Sequence, residues 1–174
     1  AFDLTVNASG PATATFGSTV GNSAPLASLT IDSANTLNGT VYLTGNVSTS
    51  GVQLYNDPVV LAANTTLTST GGGGNITLAK TVNADVSINN RTLTINTTGG
   101  GVTTLSGAVG GTAPLSSITT DASGTLTIGG GSVAAGTIAF NDALTIATTG
   151  LTLTGTTITV SGVTGATFNL TLSG

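Results

Sequence analysis

The chain of 174 residues contains no Cys, Met, Trp, His or Glu, and only 5% of its residues are charged. Without Cys there is no disulfide framework, and without His or Cys the usual ligands of a transition-metal centre are missing. A Ser-His-Asp relay lacks its base. Lys80 and Arg91 are the only cations, giving a net charge of -4. That balance argues against nucleic-acid binding, which needs a basic surface to neutralise phosphates, and against a surface helix on an anionic membrane. No apolar run approaches the ~18 residues of a spanning helix, so no membrane span is expected. The opening "AFDLTVNASG" has neither the charged nor the apolar region of a signal peptide. With no initiator Met, the sequence reads as a mature or excised segment of a longer product.

What remains is a narrow vocabulary. Thr, Ser, Asn, Ala and 26 Gly fill the spaces between Val, Leu and Ile. These are residues of strands and tight turns, and helix formers are nearly absent. Low charge, no oxidisable Met or Cys and many hydroxyls suit a secreted protein better than a cytosolic one.

The chain also repeats itself. "VGNSAPLASLTID", Val20 to Asp32, returns as "VGGTAPLSSITTD", Val109 to Asp121, with Pro25 and Pro114 lying 89 residues apart. "LTVN" at Leu4 returns as "LTIN" at Leu93 with the same offset. "LYNDPVVL" at Leu54 returns as "AFNDALTI" at Ala139, offset by 85, so four residues are lost in a turn between the blocks. The final "FNLTLSG" restates the opening "FDLTVNA". Units of approximately 1–89 and 90–166 are expected, with 167–174 starting a further one, in a single repetitive segment spanning 1–174.

Within each unit the hydrophobic period is two, as in "DLTVN", "SLTID", "TLTIN" and "TLTIG", each ending at Gly, Asn or small polar residues. Short strands with one buried and one hydroxylated face follow, recurring every eight to twelve residues or so. Aromatics at 3% are too few to anchor a sandwich core, whereas a parallel β-helix stacks Val, Leu and Ile in rows. The expected fold is an all-β solenoid of about 7–8 coils, each of roughly 20 to 25 residues, about 35 Å long. The 89-residue repeat would then be about four coils. Tandem immunoglobulin-like sandwiches are the alternative, because one such domain is close to that size. Inward positions are expected at Leu4, Val6, Leu29, Ile31, Leu93, Ile95, Leu126, Ile128, Ile146 and Leu170.

The blocks "VGGTAPLSSITTDASGTLTIGGGSV" and "YNDPVVLAANTTLT" resemble repeats of large bacterial exoproteins of the filamentous haemagglutinin and autotransporter type. That resemblance implies a right-handed parallel β-helix, secreted or held at the cell surface, serving as stalk, adhesin or filament. It implies no enzyme activity and no cofactor. The partners implied are the chain's own neighbouring repeats or subunits, head to tail, together with cell surfaces or glycans.

No catalytic, cofactor-binding or metal-ligating residue is assigned. The six acids are Asp3, Asp32, Asp57, Asp85, Asp121 and Asp142. Asp32 matches Asp121 and Asp57 matches Asp142 across the repeat, which suits turn formation better than a single acid pair of the glycosidase kind. "TGGGGN", Thr70 to Asn75, lacks the Lys-Ser/Thr of a phosphate loop and the Asp of a calcium repeat, and reads as a corner. Asn-x-Ser/Thr sequons stand at Asn7, Asn38, Asn46, Asn64, Asn75, Asn90, Asn96 and Asn169, and read as corner residues forming amide ladders or left-handed turns. Thr-x-Thr triplets begin at Thr66, Thr92, Thr125, Thr152 and Thr157. Rows of this kind could bind ice, but spacings of 26, 33 and 27 residues between the first four are too irregular for one triplet per coil. Ice binding is the alternative function, and a polysaccharide-binding or -degrading β-helix the second.

Overall fold

A computed structural model describes residues 1–7, 11–32, 39–87, 91–165 and 167–174. Among them there is no helix, and every strand pairing is parallel. Parallel pairing throughout rules out immunoglobulin-like sandwiches, which are built from antiparallel strands. The chain is a β-solenoid of about seven turns. With no helix present, no helix is long and apolar enough to cross a membrane.

Each coil visits three stacks of strands, or faces, in turn. The first face holds β1 (Asp3–Val6), β3 (Ser28–Ile31), β6 (Gln53–Tyr55), β9 (Ile76–Leu78), β12 (Gly101–Leu105) and β14 (Gly124–Ile128). The second holds β2 (Thr13–Phe16), β4 (Thr40–Leu43), β7 (Val59–Leu61) and β10 (Val82–Ala84), continued by a bridge at Val109. The third holds β5 (Val47–Thr49), β8 (Thr65–Ser69), β11 (Thr92–Thr97) and β13 (Leu115–Thr120). β15 (Ser132–Ile146) then runs unbroken through second, third and first faces in turn. β16 (Gly150–Thr154) and β18 (Asn169–Ser173) close the second face, while β17 (Thr157–Thr164) spans the third and first.

Alternation puts one residue in two inside. Leu29, Ile31, Leu93, Ile95, Leu126, Ile128 and Ile146 are buried as expected, and Leu4, Val6 and Leu170 are half-buried in the end coils. Register is kept while coil length varies. Val41 pairs with Val59, 18 residues on, whereas Leu67 pairs with Ile95, 28 residues on. The difference is absorbed at corners, where Gly, Asn and Ser leave and rejoin the stack without disturbing the ladder.

The repeated block is such a corner. Val20 and Leu26 bridge Val47 and Thr49, and Val109 and Leu115 pair with Val133 and Ala135, so seven residues span what the next coil crosses in three. Gly21 and Gly110 take φ of 72° and 68°, and a Cβ at either would run into a carbonyl of the next coil. The two copies stand on different faces: Leu29 is on the first and its counterpart Ile118 on the third.

Candidate functional site

The acids lie at corners and margins. Asp32 and Asp57 stack where the first face turns to the second, and Asp121 and Asp142 where the third turns to the first. Asp57 Oδ1 accepts the Gly39 N–H at 3.1 Å. Burial pushes its carboxyl above the ordinary range, Gly39 pulls it back, and the nearby charges of Asp32 and Lys80 act up and down respectively. Asp32 is the one described non-glycine residue with positive φ, at 49°. Asp85 and Arg91 form a bidentate pair at 2.6 and 2.8 Å across the corner between β10 and β11, and that hydrogen bonding holds the Asp85 carboxyl low. Asp3 accepts from Ser28 at the edge of the first face.

Asp142 is 1% exposed, and neither carboxylate oxygen has a well-formed hydrogen bond. β15 alternates without a break through this corner, burying Phe140, Asp142 and Leu144 in turn, while its register with β17 shifts at a bulge, so that Asn141 and Asp142 together oppose the single Ser161. Burial raises its carboxyl, the Thr120 hydroxyl beside it lowers it, and Asp121 adds like-charge repulsion. No group of three or more acids that could hold a metal occurs among the described residues.

Sequence reasoning missed an interior polar ladder, because its members look like outward residues. Thr49, Ser69 and Thr97 pair in register at the end of the third face and point inward, each hydroxyl bonding a glycine carbonyl at the corner beyond it. Gln53 lies alongside, its amide nitrogen 2.8 Å from the Thr68 carbonyl and its oxygen accepting from the buried Tyr55 hydroxyl at 3.0 Å. Burial drives the Tyr55 phenol well above its usual pKa.

Six Asn residues act between coils, and among the described residues the αL role expected for Asn is taken by Gly and Asp32 instead. The side-chain oxygens of Asn46, Asn64, Asn75 and Asn83 accept backbone N–H groups of Thr66, Thr92, Val102 and Thr112 in the following coil. Asn56 and Asn141 donate to carbonyls of Asp32 and Thr120 in the preceding one. The sequons Asn38 and Asn90, and the unit boundaries at 89, 90 and 166, lie outside the described residues. Gly71–Gly74 forms the expected corner between β8 and β9, with φ of 76° at Gly73.

The Thr triplets divide among faces. Those at Thr125 and Thr152 lie on the first and second, while those at Thr66, Thr92 and Thr157 lie on the third, the last two in one register and the first shifted by two residues, with Thr66 beside Thr94. The Pro114 corner borders a shallow apolar depression with Ala134, Ala135 and Gly155.

No family model, curated protein or solved structure matches the chain.

Proposed function

We propose that the chain is a structural segment of a secreted bacterial surface protein or extracellular fibre, of the filamentous haemagglutinin and autotransporter kind, with coils stacking and ends meeting head to tail. Its mechanism is mechanical: parallel ladders and an apolar interior make a stiff rod in which each coil buries the end of its neighbour. Cell surfaces or glycans are the targets such a rod would present itself to.

The observation that carries this reading lies in the end coils. β1 and β2 pair on one side only, as do β17 and β18. Leu4, Val6, Phe16 and Val20 at one end, and Ile158, Val160 and Leu170 at the other, touch the core yet are only partly covered. Phe2 is 84% and Leu172 57% exposed. Edge strands are commonly blunted by Lys or Pro, and these four strands contain neither. A further coil, from the same chain or a second copy, would continue both ladders and core.

Electron cryo-microscopy of the purified chain tests this. Thin fibres with an axial repeat near ~4.8 Å are expected, and Val163→Lys with Leu172→Lys should abolish them while leaving the strand content intact. Compact single particles at high concentration would overturn the reading.

A further inference from the structure

We propose that the outward side of the third face is an ice-binding surface. The reading goes beyond a structural role and does not depend on how the rod ends.

The face carries two adjoining columns of small hydroxyl residues in strict register. One runs Thr92, Ser117, Thr137, Thr157, and the other Thr66, Thr94, Thr119, Ala139, Thr159. Rungs repeat at about 4.8 Å along the axis, and columns, two residues apart on each strand, at about 6.7 Å. The array is two-dimensional and five coils deep. The first face has only a single Thr column, broken at Leu54 and flanked by Val52 and Val102. The second face interrupts its outer columns with Tyr42 and Val60.

Three properties fit this array to a crystalline water surface. First, the hydroxyls are free: among the described residues, none in the two columns bonds another protein group, in contrast to the Thr145–Thr164 pair on the first face. Each can donate to and accept from water. Second, the threonines are stiff, since β-branching narrows χ1 and the ladder fixes the backbone, so waters held on them repeat with the protein's own period. Third, the columns carry no ionisable side chain. Arg91, just outside them, is held by Asp85. The methyl groups between the hydroxyls add apolar area to bury against a flat solid. A sugar lattice would instead call for aromatic platforms, and the columns contain none.

The irregular triplet spacing in sequence does not count against the array. Coil length varies between these strands: Leu67 to Ile95 is 28 residues and Phe140 to Val160 is 20. Register is nevertheless kept. Ser117 with Thr119 and Thr137 with Ala139 supply the two rungs that a search for Thr-x-Thr passes over.

The test is thermal hysteresis of the purified chain, with adsorption of a fluorescently labelled sample to a growing ice surface. The unsubstituted protein should open a gap between melting and freezing and label the ice. Thr94→Tyr with Thr119→Tyr should lose both effects with strand content unchanged by circular dichroism. Thr104→Tyr on the first face should keep both, and Ala139→Thr, which completes the second column, should widen the gap. Absence of hysteresis and of ice labelling in the unsubstituted protein would overturn the proposal. So would hysteresis that survives the paired Tyr substitutions, or adsorption to crystalline cellulose or chitin in place of ice. If the paired variant unfolds, an unchanged gap in Ala139→Thr overturns it instead.

Discussion

Asp142 shows how a solenoid can tolerate a residue its interior does not want. Regular alternation along β15 turns its carboxylate inward, where no N–H meets it, whereas its repeat counterpart Asp57 receives one from Gly39. Both carboxyls are pushed up chiefly by burial, so protonation favours the folded state. Their stabilising contribution is present in full below the unfolded-state pKa, about 3.9, and is lost as pH rises through the higher folded values. The Asp85–Arg91 pair works the other way, weakening as pH falls, but it is too exposed to matter much. Thermal unfolding followed by circular dichroism should show Asp142→Asn to be more stable than the parent at pH 7 by about 1–3 kcal/mol, with the advantage gone at pH 3. A variant less stable at pH 7 would mean that the carboxylate has a partner worth more than its burial costs.

Among the elements, the strands were legible and the corners were not. Strict alternation in "SLTID" and "TLTIN" marks β3 and β11 because one face of each must be apolar. Polar residues that turn inward, such as Thr49, Gln53 and Ser69, defeat that logic: each finds a carbonyl within reach at or near a corner, and that reach is set by how the chain turns and the coils stack rather than by alternation. β15 likewise crosses two corners without a break, and nothing in "SVAAGTIAFNDALTI" announces the bends. The Gly71–Gly74 corner is the exception, legible from its run of glycines, whereas the Val-Gly-x-x-x-Pro-Leu block was legible as a repeat and not as a corner. The Gly of that block is needed for the positive φ and for the close approach of the next coil. Gly110→Ala should therefore cost about 1–3 kcal/mol in chemical denaturation, far more than a surface change of the same size. A loss within error would show that the corner can move away from the Ala134 carbonyl.

At the scale of the whole molecule, the sequence repeat and the coil do not coincide. From β1 to β11 the chain advances eleven strand positions, counting the bridge at Val20. From β11 to β18 it advances eleven again, counting the bridge at Val109, the three faces crossed by β15 and the two crossed by β17. Three coils would be nine positions and four would be twelve, so each copy lands one face back. "LTVN" lies on the first face, "LTIN" on the third and "LTLS" on the second. These three copies therefore do not stack on one another, and the like pairs that do meet in the core, such as Leu126 with Leu144 and Ile128 with Ile146, come from different motifs. The core works because all three faces ask for the same thing, an apolar residue every second position. Cohesion is then a matter of neighbouring coils rather than of repeat units. Hydrogen exchange read by mass spectrometry should accordingly be slowest in β8–β13 and fastest in β1, β2, β17 and β18. Phe140→Ala, which opens a cavity under the bulge in a fully buried position, should cost about 3–5 kcal/mol, and the same change at half-buried Phe16 clearly less. Equal protection along the whole chain would show instead that the coils unfold as one unit, with ends as firmly held as the middle.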